Sequence, residues 1–389
     1  MPGGPKIKAS SARAHTRKSA ARSPTRGSGG LGTNGLTILV RLLGRGLIGL
    51  MIFSASFAII TWMAYRAIQA PLPKICGTPG GPPVTAPRVQ LRDGRYLAYK
   101  EAGVQKKNAK YKLITVHGYG GSRHALLGGL SEEVMMELRI YIVGFDRAGY
   151  GQSSPNPQRS MKSDVYDVQD LADRLELGET FYVAATSIGG YTGWGLIKYL
   201  PHRLAGIAMF APVTNFWWRG FPPEVVNAAF SKQYIGDRLA LSVAHYAPWL
   251  VHWYMTQTWF PTSSTVKLEN MRLDEIDRLR ISEYYSEVHA ANILEPTQQG
   301  KDESQFRDMK NMFGTWDYEP FELENPFASR KGAVHIWQGD DDYLVPVVLQ
   351  REIAKALPWV HYHEVLEAGH GLLGIPGQAD LMIRTLLEE

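Results

Sequence analysis

Cysteine is nearly absent from this sequence. Cys76 is the single one in 389 residues, which excludes an intrachain disulfide and argues against a disulfide-built extracellular scaffold. No Asn-x-Ser/Thr acceptor for an N-linked sugar occurs anywhere. Acidic residues are also missing from the whole N-terminal stretch, where the first is Asp93. Over the same stretch Lys6, Lys8, Arg13, Arg17, Lys18, Arg22, Arg26, Arg41 and Arg45 place nine positive charges before residue 47. Residues 47–389 then hold 33 basic against 37 acidic side chains, so the formal net charge of +5 belongs to a tail. That distribution argues against a nucleic-acid-binding domain. The full chain is 44% hydrophobic and 20% charged, as in a folded globular protein with ample length for a core.

The first 87 residues change character in steps. Residues 1–46 are rich in Ser, Ala, Gly and Arg and show no apolar periodicity over 1–35, which predicts a disordered basic tail. Leu47 to Tyr65 contains no charge and is bracketed by Arg45 and Arg66. As a helix it would run roughly 28 Å, close to the hydrocarbon thickness of a bilayer. Trp62 and Tyr65 near one end suit the interface. A transmembrane helix over 47–66 is therefore expected, with residues 47–65 holding the protein on a membrane; a signal peptide or an organelle transit peptide are the competing readings. An endomembrane is favoured, with the N-terminus cytosolic and the body on the far side. Residues 67–87 contain six prolines and three glycines, an extended linker.

From residue 88 the pattern alternates. Val89–Leu91 and Arg95–Tyr99 flank Asp93-Gly94, a hairpin signal. Leu113–Val116, Ile140–Val143, Phe181–Ala184, Gly206–Phe210, Ala333–Trp337 and Val360–Val365 read as buried strands. Helical patterns over 161–177, 347–357 and 378–387 fall among them. Strands alternating with helices imply an α/β fold with a mostly parallel sheet covered on both faces. The core is assigned to 88–212 and 326–389. Residues 213–325 interrupt it, lack strand alternation and hold six of the ten tryptophans: Trp217, Trp218, Trp249, Trp253, Trp259 and Trp316. They predict a helical cap. Its aromatics form a core of their own, or its inner face lines an apolar substrate pocket, and both can hold.

Chemistry concentrates where strands end, as open α/β sheets require. Ser187 sits between the strand ending at Ala184 and a helical pattern that begins at Ile188, the geometry of a nucleophile elbow. Small residues belong two before and two after such a serine; Gly189 fits, and Ala185 adds one methyl. His117-Gly118-Tyr119-Gly120-Gly121-Ser122 follows one strand, a turn able to aim backbone N–H groups at a developing oxyanion. Asp146-Arg147-Ala148-Gly149-Tyr150-Gly151-Gln152-Ser153 follows another and reads as a tight structural turn. Gly339-Asp340-Asp341-Asp342 and Gly369-His370-Gly371 follow the last two. A serine hydroxyl needs a base, and the base needs a carboxylate to orient it. His361 and His363 alternate along a strand and read as packing or surface residues.

The stretches H-G-Y-G-G-S-R, D-R-A-G-Y-G-Q-S, S-I-G-G-Y, L-E-N-P-F, I-W-Q-G-D-D-D-Y-L-V-P and the final A-G-H carry a resemblance. Residues 88–389 are similar to the α/β-hydrolase superfamily, most of all to plant α/β-hydrolase-fold proteins with one N-terminal membrane span. The resemblance implies Ser187 as nucleophile, His370 as base and Asp342 as the orienting carboxylate, chosen from three aspartates by the family spacing G-x-x-D-x-x-V-P. The N–H groups of Tyr119 and Ile188 would form the oxyanion hole. The implied function is a membrane-anchored serine hydrolase cleaving a carboxylic ester, lipid-derived esters among them, through an acyl-enzyme. No metal or organic cofactor is required, and the expected partners are a small-molecule or lipid ester and the membrane. A ligand-binding or scaffold protein on the same fold, or a lyase using the same triad, are the alternatives.

Overall fold

The structure is a computed structural model that describes residues 33–125, 129–266 and 294–388. Residues 1–32 of the expected basic tail and 267–293 of the expected cap lie outside the described residues. The chain divides into two units, Met1–Ala64 and Tyr65–Glu389.

The first unit holds most of helix α1, Thr33–Ile68. The helix is longer than the uncharged run from Leu47, because Arg41 and Arg45 are good helix formers and interrupt the charge pattern without breaking the backbone. It stops ahead of Pro71, which lacks an amide hydrogen and disfavours helix in the residue before it. Thr37–Ile68 is long and apolar enough to cross a membrane. Leu47, Ile52, Phe53, Phe57 and Ile60 are all exposed.

The second unit is built on an eight-stranded sheet in the order β1-β2-β4-β3-β5-β6-β7-β8. The strands are β1 Arg88–Gln90, β2 Tyr96–Gly103, β3 Tyr111–Val116, β4 Ile140–Phe145, β5 Phe181–Thr186, β6 Leu204–Phe210, β7 Val334–Gly339 and β8 Val360–Val365. β1 and β2 form the expected hairpin, closed by the Leu91 carbonyl accepting from Gly94, whose φ is +88°. β2 also runs antiparallel to β4, and every pairing from β4 to β8 is parallel. Parallel strands covered on both faces read as continuous apolar runs. Leu113, Ile114, Ile142, Val143, Val183 and Ala184 accordingly have no exposed surface.

After the short helix α2, Glu132–Glu137, one face is covered by α3, Met161–Arg174, and α4, Gly190–Tyr199; the other carries the last helix, Gln378–Glu388, through Ala379, Met382, Ile383 and Leu386. β3 has the earlier-in-space β4 on one side and β5 on the other. The connections leaving β3 and β5 therefore run in opposite directions across the sheet, which makes their C-terminal ends a topological switch point, the place where open α/β sheets bind ligands.

Between β6 and β7 the described residues form helices and no strand. These are Pro223–Lys232, Ile235–Tyr246, Val251–Thr256 and Gln305–Phe313. Trp217 stacks on His245 at 4.2 Å and meets Phe230 edge-on at 5.8 Å, while Trp218 meets Trp316 at 5.0 Å. These aromatics are the core of the insertion. Trp249 and Trp259 instead face outward. Phe306, Met309 and Met312 of the helix Gln305–Phe313 pack into the same apolar cluster as Ile114 and Val183. That helix therefore shares the core of the sheet.

Candidate active site

β5 delivers its chain to Thr186, and the next residue, Ser187, adopts φ +53°. A non-glycine residue in the left-handed region costs about 1 kcal/mol or more and survives only where its surroundings hold it. A short 3-10 turn, Ser187–Gly189, then leads into α4. The turn is crowded. A methyl on Gly189 would lie 2.7 Å from the Val116 carbonyl oxygen and 2.8 Å from that of His117. One on Gly190 would lie 2.5 Å from Pro212 Cβ. Ala185, where a glycine is more usual, is fully buried between Val116 of β3 and Met209 of β6, and the sheet absorbs its methyl.

His370 follows β8 and comes to the serine. Its Nε2 lies 3.0 Å from Ser187 Oγ and its Nδ1 lies 2.8 Å from Asp342 Oδ2. Asp342 is held on every side. Its Oδ1 accepts the Leu344 and Val345 backbone N–H groups, each at 2.9 Å, and its Oδ2 accepts Gln338 Nε2 at 2.8 Å. With the carboxylate accepting from Nδ1–H, the imidazole keeps its Nε2 lone pair for the serine hydroxyl. The neighbouring aspartates are aimed elsewhere. Asp341 is exposed, and Asp340 accepts the Ala368 N–H at 3.3 Å. His363 stacks on Trp337 at 3.9 Å and its Nε2 lies 3.0 Å from His335 Nδ1, a packing role away from the serine.

The glycine turn after β3 runs beside the elbow. A methyl on Gly118 would come within 3.2 Å of Ser187 Cβ. Tyr119 follows in this turn, and Gly120, at φ +70°, bends the chain back. Ile188 is the middle residue of the 3-10 turn Ser187–Gly189 that leads into α4, and the first N–H groups of such a helical start have no acceptor one turn back.

The family model for the α/β hydrolase fold matches residues 111–374. The chain belongs to the α/β-hydrolase family. In this α/β-hydrolase the match begins with β3 and passes beyond His370, so it contains the whole of the site just described. Solved structures share the fold at low identity. An esterase from Thermogutta terrifontis is 17% identical with a TM-score of 0.52, over 78% of this chain and 98% of its own. A carboxylesterase from Nitrososphaera gargenis is 14% identical with a TM-score of 0.52, over 77% and 97%. The enol-lactonase from Burkholderia xenovorans LB400 is 16% identical with a TM-score of 0.51, over 78% and 98%. A comparison with curated protein sequences returns no match.

The turn after β4 does more in this hydrolase than reverse the chain. Asp146 is fully buried and accepts the Arg123 N–H and Nη1 at 2.7 Å each and the Gln152 N–H at 2.9 Å. Arg147, equally buried, meets Asp308 in two bonds of 2.6 and 2.5 Å and donates to the Gly118 carbonyl at 3.2 Å. Burial, followed by the nearby Arg147 charge, holds the His117 imidazole well below its usual range, so the ring is neutral. Asp308 lies on the helix Gln305–Phe313 of the insertion and carries no motif; only its position opposite Arg147 reveals it.

Proposed function

We propose that this α/β-hydrolase is a membrane-tethered serine hydrolase of carboxylic esters, lipid-derived esters among them. The observation that carries the reading is the unbroken chain of hydrogen bonds from Ser187 Oγ through His370 to a buried, fully bonded Asp342. In the proposed reaction Ser187 Oγ attacks the ester carbonyl as its proton passes to His370 Nε2. Asp342 stabilises the imidazolium, and the Tyr119 and Ile188 N–H groups receive the negative charge on the carbonyl oxygen. The tetrahedral species expels the alcohol, which takes the proton from His370. Water then repeats the sequence on the acyl-enzyme, releasing the acid and restoring the serine. Residues 213–325 select the acyl or alcohol group, and residues 47–65 of α1 hold the protein on a membrane, with 67–87 as tether.

Hydrolysis of a panel of p-nitrophenyl esters by wild type and Ser187→Ala tests the reaction. Loss of a triad nucleophile costs about three orders of magnitude or more in rate. Retention of more than about a tenth of the activity would show that Ser187 is not the nucleophile. Carbonate extraction of membranes tests the tether, since a spanning helix stays in the pellet and a peripheral protein is released.

A further inference from the structure

We propose that Arg147 and Asp308 are positioning residues for the oxyanion hole: Arg147, held by Asp308, grips the Gly118 carbonyl and so sets the direction of the Tyr119 N–H. The inference rests on the serine-hydrolase reading and deepens it, because it assigns to the insertion a part in the chemistry.

The Gly118 carbonyl accepts three bonds, from His117 Nδ1 at 2.8 Å, from Arg147 Nη2 at 3.2 Å and from the Gly121 backbone N–H at 3.2 Å. The His117 tautomer follows from its other nitrogen. Nε2 accepts the Arg147 backbone N–H at 3.1 Å, so the ring proton sits on Nδ1 and points at Gly118. A trans peptide is planar, and its C=O and N–H point in opposite directions. The donors on the Gly118 oxygen therefore fix where the Tyr119 N–H points, and Arg147 is the one among them that comes from outside the turn. The closeness of Gly118 to Ser187 Cβ puts this peptide beside the nucleophile.

Arg147 is itself held by a buried cluster. Asp308 takes both of its terminal nitrogens and also the Tyr150 hydroxyl at 2.6 Å. Arg159 pairs with Asp308 at 2.9 Å and with Asp164 at 2.7 Å. The Tyr191 hydroxyl accepts from Arg147 at 3.1 Å and from Arg159 at 2.7 Å, and donates to Asp164. Tyr191 stands on α4, three residues after Ile188. One cluster thus ties down both sides of the hole, the turn bearing Tyr119 and the helix whose start bears Ile188. Two guanidinium groups face two carboxylates, all buried. Burial alone would raise the Asp308 carboxyl, and Arg147 and Arg159 outweigh it, so Asp308 stays ionised.

Stability alone does not account for this arrangement. Apolar side chains of matching volume often replace a buried ion pair without loss. They cannot donate a hydrogen bond to the Gly118 oxygen.

The test is steady-state kinetics and melting of the full chain, with active sites counted by a fluorophosphonate. Arg147→Met/Asp308→Leu removes both charges and leaves Arg159 paired with Asp164. The expected result is kcat lower by about 10- to 100-fold per active site, since a misaimed oxyanion donor loses part of the 10²–10³ such donors supply. KM should stay within about threefold, and phosphonylation of Ser187 should slow in step with kcat. Arg147→Lys keeps a charge beside Asp308, but one ammonium does not serve carboxylate and carbonyl together in the same fork geometry; about a tenfold lower kcat is expected at near wild-type melting temperature. A purely structural role would lower melting temperature and the number of active sites while leaving kcat per site unchanged, and that result overturns the proposal. Should the double variant fail to fold, an unchanged kcat in Arg147→Lys overturns it as well. A wild type that hydrolyses no ester removes the serine-hydrolase reading itself; an active wild type with unaffected variants removes only the positioning role.

Discussion

Among three consecutive aspartates, only Asp342 should matter greatly. Asp342→Asn keeps the shape of the side chain and one oxygen, which still accepts the Leu344 and Val345 N–H groups. The amide nitrogen then faces His370 Nδ1, which sits 2.8 Å from Oδ2 in the wild type. Two donors cannot share that contact, so the imidazole moves its proton to Nε2. The lone pair that should take the Ser187 proton, across 3.0 Å, is then gone. A triad aspartate changed to asparagine costs about 10⁴ in kcat, or about 5.5 kcal/mol of transition-state stabilisation. Asp341 is exposed, and its replacement should change kcat/KM by less than about twofold. Asp340→Asn keeps an oxygen for the Ala368 N–H and should be similarly mild. The assay is kcat/KM on a p-nitrophenyl ester for all three variants, with circular dichroism to confirm folding. Comparable losses at all three positions would refute the reasoning, because they would make the charge of the loop the important quantity and not one oriented carboxylate.

Gly189→Ala should lose activity and stability together. Its new methyl meets two backbone carbonyls at 2.7 and 2.8 Å, at the end of β3 and in the glycine turn that follows it, and overpacking of this kind costs about 1–3 kcal/mol. A melting temperature and kcat equal to wild type would contradict that crowding. His335 should make stability depend on mildly acidic pH. Burial, with His363 and His361 adding to it, pushes its imidazole from 6.5 down to about 4. The unfolded chain therefore binds a proton before the folded one does. Stability is complete above pH about 6.5 and falls by up to about 3 kcal/mol as pH drops towards 4. Melting curves between pH 7.5 and 4.5 should show this slope in wild type and a flatter one in His335→Leu; identical slopes would exclude His335 as the source.

Much of this arrangement was legible from the chain. The β8 segment Val360–Val365 has the bounds its apolar alternation suggests, and the turn at Ser187 follows from a strand, a glycine two residues on and a helical period beyond. Other features resisted reading for physical reasons. β4 runs through Gly144 to Phe145, because pairing with β2 and β3 on both sides overrides the weak strand preference of glycine. α1 begins at Thr33, since arginines mark the edge of an apolar run but do not end a helix. The cluster around Arg147 was the least legible. Asp308 stands 161 positions away in a helix whose Arg307, Asp308 and Lys310 look like a solvated face, and only the folded chain shows it buried against Arg147. Family membership supports the fold and hydrolysis, while the ester and the membrane rest on the experiments set out above.

The central claim is that Ser187 becomes covalently acylated. The most direct measurement is intact-protein mass spectrometry after brief exposure to an alkyl fluorophosphonate, followed by peptide mapping. Wild type should gain one adduct on the peptide that contains Ser187, Asp342→Asn should gain it far more slowly, and Ser187→Ala should gain none. Equal labelling of Ser187→Ala, or an adduct mapped to another residue, would contradict the account.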